Sequence, residues 1–395
     1  MKIPITKPIF DEHEKDLLVK PLESGWLVQG PYVKEFEKLF SIFTGAKYSC
    51  TTSNCTTALH LALEALGICH GDKVIIPSFT YIASANAVEY TGAEAIFCDI
   101  DLRTFNINID DLSNLLEKDR SGSIKAIMPV NLFGLCSNLP KIIELAKHYN
   151  LKIVEDSACG LGSYIGDQHS GTFGDIGCFS FHPRKLITTG EGGMLTTEDE
   201  SLLNKFICLK DHGASKSDLQ RHQEKGGSLL PEFNVRGFNY RMTDMQGALG
   251  VAQMNKLSFI LEGRRRIAAK YDIALENSPL LTPIVPKNYK HSYQSYVCLY
   301  NKSLDLDNLT LDKINELNIK RNQLMSDLEN VGISVRQGTH AVHTLGFYKN
   351  KYDFSDNTFL KSYTADRLSI TLPLYANMTD AEFDYVISNI NNLIS

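Results

Sequence analysis

Phe179-Ser180-Phe181-His182-Pro183-Arg184-Lys185-Leu186-Ile187-Thr188-Thr189-Gly190-Glu191-Gly192-Gly193 runs from an apolar stretch through a lysine into a glycine-rich turn. Cys178–Phe181 reads as a short buried strand, and Met194–Thr197, past the turn, reads as another. Ser180 and Lys185 stand five positions apart between them. A lysine withdrawn from water has a lowered pKa and can serve as an imine-forming amine near neutral pH. The plain alternative for a single lysine is a solvated surface position.

Working outward, short β-branched or apolar runs recur at Lys73–Phe79, Glu94–Ile100, Lys125–Phe133 and Lys152–Asp156. Helical patterns such as Thr56–Leu66 and Leu139–His148 lie between several of them. This alternation predicts an α/β fold, a mostly parallel central sheet flanked by helices, with ligands gathered at the carboxyl ends of the strands. Lys210–Arg236 is polar, contains Gly and Ser, and reads as a long loop. A helical pattern from Met242 to Leu275 then leads out of a large domain, residues 1–257, into a smaller C-terminal α/β domain, residues 258–395. The latter holds a strand at Tyr296–Tyr300, a helix at Asp312–Val331, an Asn/Leu/Asp-rich patch at Leu304–Asn318 and a closing helix. That last helix opens on the capping-box pattern Thr379-Asp380-Ala381-Glu382.

The net charge of −6, with acids and bases interspersed, argues against a nucleic-acid or membrane-surface partner. Arg264-Arg265-Arg266 is the densest basic cluster and reads as a solvated helix face. No window approaches the roughly 18 apolar residues of a membrane span. Met1-Lys2-Ile3-Pro4-Ile5 shows no long apolar core behind its lysine, so no secretory leader is expected. Nine cysteines without paired spacing fit reduced thiols in the cytoplasm and suggest neither a disulfide framework nor a metal site.

Two further stretches join the lysine segment. Thr51-Thr52-Ser53-Asn54-Cys55-Thr56-Thr57 precedes an amphipathic helix, whose free N–H groups make an anion site. Equally, Ser53 or Asn54 caps that helix and does nothing more. Leu151-Lys152-Ile153-Val154-Glu155-Asp156 is a buried strand ending in two acids. Asp156 either holds a protonated heterocycle nitrogen or a ribose, or caps the next turn. Together, an anion-binding helix start, a carboxylate at a strand end and a lysine after a later strand are the parts a pyridoxal 5'-phosphate (PLP) site requires.

At these residues the chain resembles the DegT/StrS family of PLP-dependent sugar aminotransferases, of fold type I. Gly25-Trp26-Leu27-Val28-Gln29-Gly30-Pro31 resembles the family's opening, and Pro77-Ser78-Phe79-Thr80-Tyr81-Ile82-Ala83-Ser84 its second loop. Gly174-Asp175-Ile176-Gly177 through Gly193 resembles the lysine segment, and Asn239-Tyr240-Arg241-Met242-Thr243 the segment that reaches into a neighbouring subunit. The resemblance implies that Lys185 carries the Schiff base, Asp156 pairs with the pyridine nitrogen and Tyr81 stacks on the ring. It implies that Ser180 and the backbone of Cys55 and Thr56 hold the phosphate, with Asn239 adding a contact from the partner of a homodimer. Arg241 is the candidate for the amino donor's carboxylate, and His182 and His343 for the sugar. The sequence departs from the family pattern twice: Cys55 stands where members commonly carry glycine, and Cys159 where Gln or His is frequent.

The expected reaction transfers an amino group from an amino acid, glutamate in most of the family, to a nucleotide-linked 4-keto- or 3-keto-6-deoxyhexose. The rivals are a PLP-dependent sugar dehydratase, in which histidine replaces the lysine, a non-catalytic PLP-holding regulator, and another fold type I activity such as a lyase on a sulfur amino acid. Lys185 argues against the first; the intact lysine, aspartate and serine argue against the second.

Overall fold

The computed structural model describes residues 1–216, 230–301, 304–306 and 308–394. Seven strands form the central sheet: β1 (Tyr48–Thr52), β2 (Lys73–Pro77), β3 (Glu94–Cys98), β4 (Ile124–Ile127), β5 (Lys152–Asp156), β6 (Ile176–Ser180) and β7 (Gly193–Thr197). Their order across the sheet is β1-β7-β6-β5-β4-β2-β3. The five strands from β6 to β3 pair in parallel, and β7 alone runs against its neighbours. The alternation of strand and helix is thus the α/β sheet expected. β1 has no counterpart among the strand readings above, because its sequence Tyr-Ser-Cys-Thr-Thr carries no aliphatic run. Lys125–Phe133 is shorter as a strand than its apolar content suggests. The continuous strand stops at Ile127, a lone bridge pairs Val130 with Asp156, and Leu132–Gly134 is a 3₁₀ turn with Phe133 at φ 56°.

The pleat of β6 decides what each of its side chains meets. Phe179 lies with Phe181 under the helix Pro31–Thr44, with ring centroids 4.9 Å from Phe40 and Phe36 respectively. Cys178 turns to the opposite face, into the cluster built by Ala58, Leu61 and Ala62 of the helix Cys55–Leu66. Ser180, two residues on, therefore emerges at the carboxyl edge of the sheet on the side of that helix's first turn.

The helical pattern Met242–Leu275 is two helices, Asp244–Asn255 and Leu257–Ala274, broken at Lys256 with φ −111° and ψ 7°. Arg264 and Arg265 overturn the solvated-face reading. Arg264 is buried and donates to the Tyr293 and Gln294 carbonyls at 3.1 Å and to Thr6 Oγ1 at 2.8 Å. Arg265 reaches the carbonyls of His291 and Gly162. Guanidiniums are used here as multidentate clamps on loop carbonyls, a role that charge density along the sequence cannot reveal.

After these helices a small antiparallel sheet joins Leu280–Leu281, Tyr296–Tyr300 and Ser369–Leu372. It packs with the helices Leu311–Asn330 and Asp380–Ile394 around Tyr271, Tyr296 and Phe383. Thr379 and Glu382 close the reciprocal cap expected of them, at 2.8 Å and 3.2 Å. Of the loop Lys210–Arg236, residues 217–229 lie outside the described residues, as does residue 307 of the Leu304–Asn318 patch. The described limbs of the loop meet across backbone bridges at Asp211 with Asn239 and Ala214 with Phe233. No helix among the described residues is long and apolar enough to cross a membrane.

Candidate active site

A cavity of about 700 Å³ opens at the carboxyl edge of the sheet. Three stretches from distant parts of the chain supply one wall: Asn54–Thr57, Asp156 with Ala158 and Cys159, and Ser180 to Lys185. Tyr81, Gln294 and Arg336 also line the cavity.

Asn54 caps the helix Cys55–Leu66, its Oδ1 accepting Thr57 N–H at 2.9 Å while Thr57 Oγ1 accepts Asn54 N–H at 3.2 Å. Four N–H groups at a helix start lack intrahelical acceptors. This box consumes two of them and leaves those of Cys55 and Thr56, both on the cavity wall at the positive end of the helix. Capping and anion binding, alternatives in the sequence, thus coexist. Gly193 makes the approach possible. A Cβ there would run into the Asn54 carbonyl and lie 2.5 Å from Thr52 Oγ1.

Asp156 closes β5 and is buried. Its Oδ2 accepts Ser84 Oγ at 2.7 Å and its Oδ1 accepts Ala158 N–H at 3.1 Å, so it also caps the following turn. Burial pushes its pKa above the ordinary carboxylate value, against the opposing pull of Ser84, Ala158 and Lys185. Glu155 points the other way, as the period of two requires. Its oxygens accept the N–H groups of Gly171, Phe173 and Gly174 and pin that loop.

Lys185 follows β6 in a turn closed by its N–H to the His182 carbonyl, 2.8 Å. Its Nζ lies 3.2 Å from Cys159 Sγ. The expected depression of its pKa is not what this chain alone produces. Burial lowers it, but Cys159, Cys55 and Asp156 together outweigh burial and raise it. An amine surrounded by acidic groups stays an ammonium until something neutralises them.

Tyr81 is 65% exposed on the cavity wall, and Ser180 and His182 share the cavity. His182 Nδ1 accepts the Arg184 N–H at 3.2 Å, and burial lowers the ring's pKa. Three residues singled out in the sequence fall elsewhere. His343 is a correction: it is fully buried, bonded through Nδ1 to Ser78 Oγ at 2.7 Å and set edge-on against Phe359, so it does not reach the cavity. Arg241 pairs with Asp211 at 2.5 Å and does not line the cavity of its own chain. Asn239 is exposed outside the cavity of its own chain.

Sequence reasoning missed Ser84, Arg184 and Arg336. Ser84 stood in a quoted loop, but only folding aims it at Asp156. Arg184 and Arg336 both line the cavity and, among the described residues, neither has a carboxylate partner. Burial and then Arg184 lower the Arg336 pKa, and Arg336 Nε is buried without an acceptor. Two guanidiniums facing one cavity are prepared for an anion.

These groups fit pyridoxal phosphate. Two helix-start N–H groups suit its phosphate, a buried carboxylate with spare acceptor capacity suits a ring cation, and an amine on the same wall suits an aldehyde.

Comparison with known proteins carries the assignment further. The DegT/DnrJ/EryC1/StrS aminotransferase family matches residues 8–391. A GDP-perosamine synthase from Caulobacter vibrioides is 34% identical over 396 residues, covering 100% of this chain and 98% of that protein. Spore coat polysaccharide biosynthesis protein SpsC from Bacillus subtilis is also 34% identical, covering 99% of this chain and 97% of that protein. A putative sugar aminotransferase from Streptococcus pneumoniae, solved in its PMP form, superposes with a TM-score of 0.88 at 28% identity, covering 99% of each chain. The same protein in its PLP form gives a TM-score of 0.87 at 28% identity, covering 100% of this chain and 98% of that one. The chain therefore belongs to the DegT/DnrJ/EryC1/StrS family and is a PLP-dependent sugar aminotransferase.

Proposed function

We propose that this enzyme moves the amino group of L-glutamate onto the ketone of a nucleotide-linked 4-keto- or 3-keto-6-deoxyhexose, for surface polysaccharide or glycoside synthesis. The names of its relatives, GDP-perosamine synthase and spore coat polysaccharide biosynthesis protein, support the acceptor class. The observation that carries the reading is the position of Lys185 Nζ on one cavity wall with Asp156 and the free N–H groups of Cys55 and Thr56.

Bound PLP supplies an electrophilic aldehyde for amines and, when its ring is protonated, an electron sink for the adjoining carbon. Cys55 and Thr56 would hold its phosphate by their N–H groups, with Ser180 beside them; Tyr81 would cover the ring, and Asp156 would keep the ring nitrogen protonated. A ring cation paired with Asp156 would also weaken that carboxylate's pull on Lys185, which is smaller than those of Cys159 and Cys55. Lys185 Nζ is the amine that would hold the aldehyde, and its free form would serve as the base for the substrate's α-proton. Arg184 and Arg336 take the donor's carboxylates, the role first given to Arg241. His182 faces the sugar.

Asn239 acts in the partner's site of a homodimer. The exposure of Tyr81 and of the apolar side chains Leu27, Val28, Phe233 and Val235 supports a covering subunit. We keep residues 1–257 and 258–395 as the two mechanical units, and the cytoplasm as the compartment, the latter supported by nine free thiols.

Borohydride reduction of the resting enzyme followed by peptide mapping tests the covalent assignment. The label is expected on Lys185, and a label on any other lysine refutes it. Lys185→Ala is expected to fold, to lose the yellow chromophore and to lose all detectable turnover. Glutamate alone should bleach the wild-type chromophore; an unchanged spectrum sinks the donor assignment.

A further inference from the structure

We infer that Cys159 and Lys185 form a peroxide-triggered covalent lock, a sulfenamide bond between Cys159 Sγ and Lys185 Nζ that withdraws the amine from the reaction. The two atoms already lie 3.2 Å apart, on the wall of a cavity wide enough to admit a small oxidant. Cys159 sits in a tight turn, closed by Gly160 N–H to the Ser157 carbonyl at 2.8 Å, and its own carbonyl accepts Ser292 Oγ at 3.4 Å. The backbone that carries the sulfur is therefore held in place. Cys55 offers a second sulfur in the same cavity, but burial, with Asp156 adding to it, holds that group as an unreactive thiol. The nucleophile next to Cys159 is the amine.

The chemistry balances with hydrogen peroxide as the oxidant. The Cys159 sulfur attacks one peroxide oxygen, and the O–O bond breaks. Sulfur is oxidised to the sulfenic acid, the peroxide is reduced, and the thiol proton leaves with the other oxygen as water. Sulfenic-acid formation takes away the Cys159 influence that favours the ammonium, and Nζ gives its extra proton to solvent. Its lone pair then attacks sulfur, the S–O bond breaks, and the departing hydroxide takes an amine proton as a second water. No further oxidant is consumed. A dithiol reverses the bond, returning thiol and amine as it becomes a disulfide.

This inference rests on the reading of Lys185 as the cofactor's anchor, because an anchored lysine has no free amine. Donor turnover frees it, so glutamate should sensitise the holoenzyme to the lock. The test treats holoenzyme, with and without glutamate, and cofactor-stripped chain with hydrogen peroxide, then maps peptides by mass. A linked pair of the Cys159 and Lys185 peptides is expected, lighter than their sum by two hydrogens. It should form in the stripped chain and rise several-fold with glutamate in the holoenzyme. Dithiothreitol should remove it and restore activity. Cys159→Ser should form no link and keep its own untreated activity through the same exposure. Recovery of Cys159 as thiol, sulfinic acid or a disulfide with Cys55, without the link, overturns the lock. A link that forms in the stripped chain and equally in holoenzyme with or without glutamate keeps the lock and instead refutes the anchoring role.

Discussion

At Asp156 two demands oppose one another. The reaction needs an ionised carboxylate against a ring cation, whereas burial without that cation favours the protonated acid. Its folded pKa lies above the ordinary 3.8, so the folded chain binds the proton more tightly than the unfolded one. Its contribution is then fully present at low pH and is lost as pH rises through the folded pKa. The cofactor-free wild type should therefore lose stability relative to Asp156→Asn as pH rises above about 4. Denaturant midpoints of the two stripped proteins check this, and parallel pH profiles refute it. The same variant, reconstituted with cofactor, should show a severely slowed glutamate half-reaction, because Asn cannot hold the ring proton by charge. Stabilising the empty chain while disabling the enzyme is the signature of a site built for a ligand's charge.

Among the elements, the start of the helix Cys55–Leu66 has the most to lose. Asn54→Ala removes the side-chain acceptor of Thr57 N–H and should cost about 1 kcal/mol of stability. It leaves the N–H groups of Cys55 and Thr56 in place, so cofactor affinity should change less than stability does. Gly193→Ala should behave in the opposite sense. Its Cβ would meet the Asn54 carbonyl and Thr52 Oγ1, which displaces the very loop that aims those two N–H groups. A loss of about tenfold in cofactor affinity is expected, equivalent to about 1.4 kcal/mol. Titration of the stripped variants with PLP, followed by the visible chromophore, separates the two effects. Equal affinities for Gly193→Ala and wild type would show that the loop is not what positions the phosphate.

Across the whole molecule, Arg264 ties three separated parts of the chain together, Thr6 near the start, its own helix Leu257–Ala274 and the loop Tyr293–Gln294. Gln294 in turn donates to the Arg184 carbonyl at 2.8 Å, next to Lys185. Burial pulls the Arg264 pKa down to about 10, which leaves it cationic at neutral pH. Arg264→Met fills much of the volume but strands two carbonyls, so a loss of about 2–4 kcal/mol is expected. Chemical denaturation measures it, and a loss below about 0.5 kcal/mol would mean that water replaces the clamp.

The sequence alone determined the order of strands and helices, because apolar runs and helical periodicity are local properties of β2 to β7 and of the helix Cys55–Leu66. It also determined that Lys185, Asp156 and the Cys55 helix start belong to one site, since motif order survives without coordinates. It did not reveal β1, whose polar side chains gain their place only from pairing with β7. Nor could it show that Arg264 is a buried clamp, that His343 is sealed behind Ser78, that Arg241 is taken by Asp211, or that Arg336 lines the same cavity as Lys185. Burial and partnership are set by residues hundreds of positions apart, so only the tertiary structure decides which charges meet a neighbour and which await a ligand.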